Sequence, residues 1–138
     1  MDVRMRPDLG VVLVLAGALA LPSAALAGRD ALVVRIANAG ADPITCHAEV
    51  AHWFATDLGE IAPGANLALD LWRDPATGTV TTRNTAGEFL PVERAWCGVK
   101  GRAYQTRWQI TLNRAADGRP VADQSLTCTA RDGGLDCR

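Results

Sequence analysis

Lysine is nearly absent from this chain. Lys100 stands alone against thirteen arginines, and the formal net charge is −1. That balance excludes a polybasic membrane patch or a nucleic-acid footprint, both of which need clustered excess positive charge. Serine occurs once after position 27, as Ser125, with no Gly-x-Ser-x-Gly elbow around it. An esterase-type nucleophile is therefore not expected. Both methionines, Met1 and Met5, lie at the very start, which removes a thioether copper site from the remainder. Histidine is limited to His47 and His52, and no Cys-x-x-Cys pair exists. The four cysteines, spaced by 51, 31 and 9 residues, lack the close ligand pairs of a structural zinc site.

Apolar length is also scarce. One long apolar run occurs, Leu9 to Leu21, and it is well short of the ~20 residues of a spanning helix. Arg4 and Arg6 precede it, and Ala25-Leu26-Ala27 follows with small residues flanking a larger one. This order predicts a signal peptide over 1–27, cleaved after Ala27, and a single domain over 28–138. A periplasmic or secreted location follows, with no membrane span after cleavage. The arginine bias and abundant alanine suggest a GC-rich bacterial source.

All four cysteines, Cys46, Cys97, Cys128 and Cys137, fall in the expected mature chain, so two disulfides are predicted. Asp132-Gly133 is a strong two-residue hairpin signal. With those residues as the turn, cross-strand partners sum to 265, and Cys128 faces Cys137. Counting outward from the turn makes that pair a non-hydrogen-bonded one, with Cα atoms near ~4.5 Å. Cys128–Cys137 is thus sterically natural, and Cys46–Cys97 follows by elimination.

The segments between turn signals are short, and several alternate. Ile44, Cys46, Ala48, Val50, His52 and Phe54 are more apolar than Thr45, His47, Glu49, Ala51 and Trp53. A central strand over 44–54 with Cys46 facing inward is expected. Leu67, Leu69 and Leu71 share one face of a strand over 66–72, and Trp72 the other. A threonine-rich strand over 79–83 is placed at an edge. The clearest alternation runs from Tyr104 to Asn113, with Thr106, Trp108, Ile110 and Leu112 on one side. About eight such strands predict an all-β fold, a small antiparallel β-sandwich of immunoglobulin-like build or a small barrel. The specific immunoglobulin signature is missing, because position 95 is alanine rather than tyrosine and Trp53 shares the strand of Cys46.

Few residues suggest chemistry. His47 and His52 are five apart, which puts them on opposite faces of a regular strand. A metal site would need a bulge between them, with Glu49 as third ligand, so no metal and no other cofactor is expected. Trp72 beside Asp70 and Arg73, and Trp53 beside His47 and Glu49, are candidate stacking or anchoring groups. Trp53, Trp72 and Arg73 therefore form the expected binding set. The expectation is an exported, non-enzymatic domain that binds a protein partner. A small-ligand or carbohydrate module using Trp53 and Trp72 is the alternative, and metal binding through His47, Glu49 and His52 the third.

Overall fold

Alternation decides which side of each strand is buried. In the computed structural model, residues 28–51 and 54–138 are described, and the expected leader, His52 and Trp53 lie outside them. Among the described residues eleven strands are present: β1 Asp30–Ala31, β2 Val34–Asn38, β3 Ile44–Val50, β4 Phe54–Ile61, β5 Asn66–Ala68, β6 Leu71–Arg73, β7 Val80–Arg83, β8 Phe89–Val99, β9 Trp108–Ile110, β10 Gln124–Arg131 and β11 Gly134–Cys137. They form a seven-stranded sheet, ordered β1-β6-β7-β8-β3-β4 with β9 also on β8, and a four-stranded sheet, ordered β11-β10-β2-β5. The fold is all-β with two sheets, as a small sandwich requires. Among the described residues no helix is long and apolar enough to cross a membrane.

The interior is one continuous apolar cluster. It contains Val34 and Ile36 of β2, Ile44, Cys46, Ala48 and Val50 of β3, Ile61, Leu71, Val80, Ala95, Cys97 and Ile110. Full burial of each large aliphatic side chain contributes about 1.5–3 kcal/mol. Both disulfides sit inside this cluster rather than on its surface, since Cys46, Cys97 and Cys128 are fully buried and Cys137 nearly so.

The C-terminal hairpin has the expected register. Cys128 faces Cys137, Thr129 faces Asp136 and Arg131 faces Gly134. Thr127 and Arg138 exchange two backbone hydrogen bonds, of 2.8 and 3.1 Å, so the neighbouring 128/137 pair is non-hydrogen-bonded. Its Cα atoms are 4.1 Å apart. Asp132 and Gly133, at φ 40° and 80°, supply the two left-handed residues that such a turn needs. Cys46–Cys97 joins residues that face each other on adjacent strands β3 and β8, with Cα atoms 4.0 Å apart. It pins one sheet, instead of bridging two as in immunoglobulin domains.

Several elements differ from expectation. The strand expected over 44–54 ends at Val50. Ala51 takes φ 50°, and Phe54 begins the returning strand β4. The segment 66–72 is two strands, because the chain leaves the small sheet after Ala68 and enters the large one at Leu71. Such sheet-switching corners preserve alternation while changing partners. The threonine strand β7 is internal, between β6 and β8, and Thr82 donates its hydroxyl to the Asp70 carbonyl at 2.8 Å. From the strand expected at 104–113, only Trp108–Ile110 is paired, although Thr106 and Ile110 are buried on one side as the alternation requires. The pairing is not wholly antiparallel. β2 and β10 run parallel, from Gln124 against Val34 to Cys128 against Asn38. The long chain between them supplies the crossover that a parallel pair needs.

Candidate functional site

The outward face of the large sheet carries the polar half of each alternation. On β3, burial of Cys46 and Ala48 turns Thr45, His47 and Glu49 outward. Their cross-strand partners share that face. His47 stands between Asp57 of β4 and Trp96 of β8, Glu49 stands opposite Arg94, and Trp96 faces Gln109 of β9. Two extra residues re-aim these strands. Leu58 is inserted in β4 between the residues opposite Cys46 and His47, and Glu93 is inserted in β8 between those opposite Glu49 and Val50. Bulges of this kind shift side-chain parity along the strand. The first keeps Asp57 on the outward side while Leu58 packs toward the core. It depends on Gly59, at φ 136°, where a Cβ would come within 2.7 Å of Leu67 Cδ2.

The result is a fixed row of groups. The Asp57 carboxylate lies 2.7 Å from His47 Nδ1, and Nε2 of the same ring is 3.2 Å from Thr45 Oγ1. The imidazole lies against Trp96, with centroids 4.5 Å apart and planes 32° apart. Trp96 meets Tyr104 edge-on, at 6.0 Å and 82°. Arg107 covers Tyr104 at 4.1 Å and donates to the Tyr104 carbonyl at 2.7 Å. Alongside, Arg94 grips both oxygens of Glu49 through two 2.9 Å bonds, which raises the pKa of the Arg94 guanidinium further. Lys100 and Glu60 pair at 2.9 Å. Tyr104 is 63% exposed.

A second row occupies the far end of the same face. Trp72 donates its indole N–H to Asp70 at 2.8 Å, and Arg83 holds both Asp70 oxygens at 3.0 Å. The Arg83 bonds, with help from the indole, hold the Asp70 carboxyl below its ordinary pKa. Arg83 also lies 5.1 Å over the Trp72 ring, Phe89 meets Trp72 edge-on at 6.0 Å, and Arg29 covers Phe89 at 4.5 Å. Pairing energies of this kind are individually small, about 0.5–1 kcal/mol at exposed sites, but together they hold each ring in place.

The residues singled out in the sequence meet different fates. Trp72 is outward and half-buried, with Arg83 over its ring, and it lines neither of the grooves described next. Arg73 is not at the surface at all. It is fully buried, and its guanidinium donates to the carbonyls of Ala115 and Arg119. The alternation explains this: if Trp72 faces out, Arg73 must face in. Trp53 and His52 lie outside the described residues. Of the three metal candidates, His47 already has a partner at each ring nitrogen and Glu49 is held by Arg94. Among the described residues no group of three His, Cys, Asp or Glu side chains is arranged to hold a metal ion.

Two depressions flank the first row. The larger, an open groove of about 400 Å³, lies where the chain after β9 parts from β8, and is lined by Arg94, Gln109, Thr111, Leu112 and Arg114 among others. Arg114 closes its end by donating to the carbonyls of Val92 and Glu93 at 2.8 and 2.9 Å. The smaller lies between Glu49, Trp96, Tyr104, Arg107 and Gln109. Thr45 and His47 line neither of these two grooves. No family model matches this chain, and no curated protein matches it in sequence.

The residues that build the first row, Asp57, Arg94, Trp96, Tyr104 and Arg107, were not singled out in the sequence. A signal for two of them, Trp96 and Arg94, was present. If Cys46 and Cys97 face each other across antiparallel strands, partners sum to 143, which places His47 opposite Trp96 and Glu49 opposite Arg94.

Proposed function

We propose that this protein is an exported, non-enzymatic binding domain that docks a protein partner on the outward face of β4, β3, β8 and β9. The supporting observation is the row of Trp96, Tyr104 and Arg107 on an open sheet face, each side chain held by a neighbour. Tryptophan, tyrosine and arginine dominate the energetics of protein interfaces, and pre-ordering them lowers the entropy lost on docking. The larger depression on this face is open, which suits a broad partner surface better than a small molecule. The carbohydrate alternative rests on Trp53, which lies outside the described residues, and on Trp72, whose ring is covered by Arg83. Two disulfides suit an oxidising compartment, and the leader-like 1–27 segment supports the periplasm as destination.

The test is affinity capture with the oxidised, exported protein from a periplasmic extract, followed by calorimetry with the purified partner. Tyr104→Ala and Arg107→Ala should each weaken binding by about tenfold, roughly 1.4 kcal/mol. Arg35→Ala, on the opposite sheet, should leave it unchanged. Capture of nothing specific, or a partner indifferent to Tyr104 and Arg107, would overturn the proposal.

A further inference from the structure

The free edge of β4 is built for pairing. β4 borders the seven-stranded sheet, and among the described residues it pairs only with β3. The direction of its backbone groups follows from the disulfide. Cys46 and Cys97, with Cα atoms 4.0 Å apart, are a non-hydrogen-bonded pair, so Thr45, His47 and Glu49 bond to β8. Ala48 and Val50 therefore bond to β4, where Thr56 and Phe54 face them. Phe54 and Thr56 are thus committed to β3, whereas Ala55 and Asp57 aim their N–H and C=O groups away from the sheet.

Edges of this kind are normally blunted by lysine, proline, a bulge or a covering loop. Phe54-Ala55-Thr56-Asp57 contains neither lysine nor proline, and the bulge at Leu58 comes only after it. Its one charge, Asp57, is tied to His47. Phe54 is 65% exposed, one of two large hydrophobic side chains so placed among the described residues.

We propose that two copies of this chain associate by antiparallel β4–β4 pairing about a two-fold axis at Thr56. The choice of a second copy rests on self-complementarity. With the axis at Thr56, Ala55 faces the second copy's Asp57 twice over, and these two reciprocal pairs supply four backbone hydrogen bonds. Thr56 then faces Thr56, a favourable cross-strand pair, and the exposed Phe54 meets the second copy's Leu58 on the core side of the sheet. Moving the axis to Asp57 would set two carboxylates face to face, which penalises that register. The two large sheets become one continuous sheet. The contact is small, so the dimer is weak and concentration-dependent. It does not depend on the docking face around Tyr104, and either can fail without the other.

Sedimentation velocity on the oxidised, exported protein, over a series reaching roughly 1 mM, tests this. The mass should double with concentration. Phe54→Lys should keep the protein monomeric. So should Ala55→Pro, which deletes an outward N–H and leaves the β3 ladder intact. Asp136→Lys, on the edge strand β11 of the other sheet, should dimerise as the parent does. Circular dichroism confirms that each variant is folded, and Phe54→Lys carries the test if Ala55→Pro is not. A protein monomeric throughout the series, or a dimer that survives Phe54→Lys, would overturn the proposal.

Discussion

Replacing Arg73 should damage this fold more than replacing any other arginine with a described environment. Its side chain is 0% exposed, and it holds the 114–120 loop against β6 through the carbonyls of Ala115 and Arg119. A hydrogen bond to a charged donor contributes about 1.5–3 kcal/mol. Removing both, and leaving two carbonyls and a side-chain-sized void behind, would cost about 3–6 kcal/mol for Arg73→Ala. Relief from burying the cation, and from the unpartnered Nε–H, offsets part of this. A net loss of about 3–4 kcal/mol is expected, a large share of the ~5–15 kcal/mol that holds a domain together. Arg73→Met refills most of the volume without restoring the donors, so it should recover about 1 kcal/mol of that loss. Urea unfolding of the oxidised proteins is the assay. At a slope of about 1–3 kcal/mol per molar, the Arg73→Ala midpoint should fall by at least ~1 M. Arg35→Ala, which breaks a surface pair with Asp123, should shift the midpoint by no more than about 1 kcal/mol equivalent. Proteolysis should cut the Arg73→Ala protein first within 114–120. If Arg73→Ala unfolds within 1 kcal/mol of the parent, with that loop still protected, the buried guanidinium is not what holds it.

Two further perturbations test the covalent and electrostatic frame. Loop-closure entropy assigns roughly 4 kcal/mol to Cys46–Cys97 and about 3 to Cys128–Cys137, so the double alanine replacement at the first pair should lower the urea midpoint more than at the second; the reverse order in otherwise identical measurements would count against the entropic assignment. Asp70 has a folded pKa depressed by Arg83 from its ordinary value of 3.8, so its contribution is complete above that value and is lost as pH falls through the folded one. Asp70→Asn should therefore flatten the loss of thermal stability below about pH 4, by under ~1 kcal/mol because the pair is half exposed and screened; parallel melting curves from pH 6 to 2 for parent and variant would refute this.

What the sequence disclosed was set by how local the cause was. The C-terminal hairpin needed only Asp132-Gly133 and two cysteines at matching distances from it, all within a short span, and its register emerged intact. The inward face of β3 was legible from alternation alone. Alternation does not carry information about partners, however. It could not say that Leu67 and Leu71 belong to different sheets, since the inward side stays inward across the corner. Nor could it place the threonine strand between β6 and β8, where Thr81 and Thr82 are buried, because threonine suits edge and interior strands alike. The parallel pairing of β2 with β10 joins the two ends of the described chain, and no local pattern records so distant a choice. The burial of Arg73 has a simpler reason. Charge alone suggests exposure, but the outward Trp72 requires its neighbour to face in.

The docking face itself arises from departures from regularity. A strand without insertions would carry one parity from end to end. In β8, that would point either Phe89 and Pro91 or Arg94 and Trp96 toward the core, because one set falls on odd positions and the other on even ones. The extra Glu93 resolves the conflict, so the core side keeps Leu90, Val92, Ala95 and Cys97 while both aromatic groups face out. Leu58 does the same for β4, where Asp57 reaches His47 and Ile61 still reaches the core. The disulfide fixes the register of β3 against β8 between these two irregularities. Bulges are tolerated where neighbouring pairing is secure, and the Cys46–Cys97 bond secures it. The same covalent bond that stabilises the sheet therefore determines which side chains meet on its surface. Losing it should disorder the Trp96–His47 contact even in a variant that remains folded.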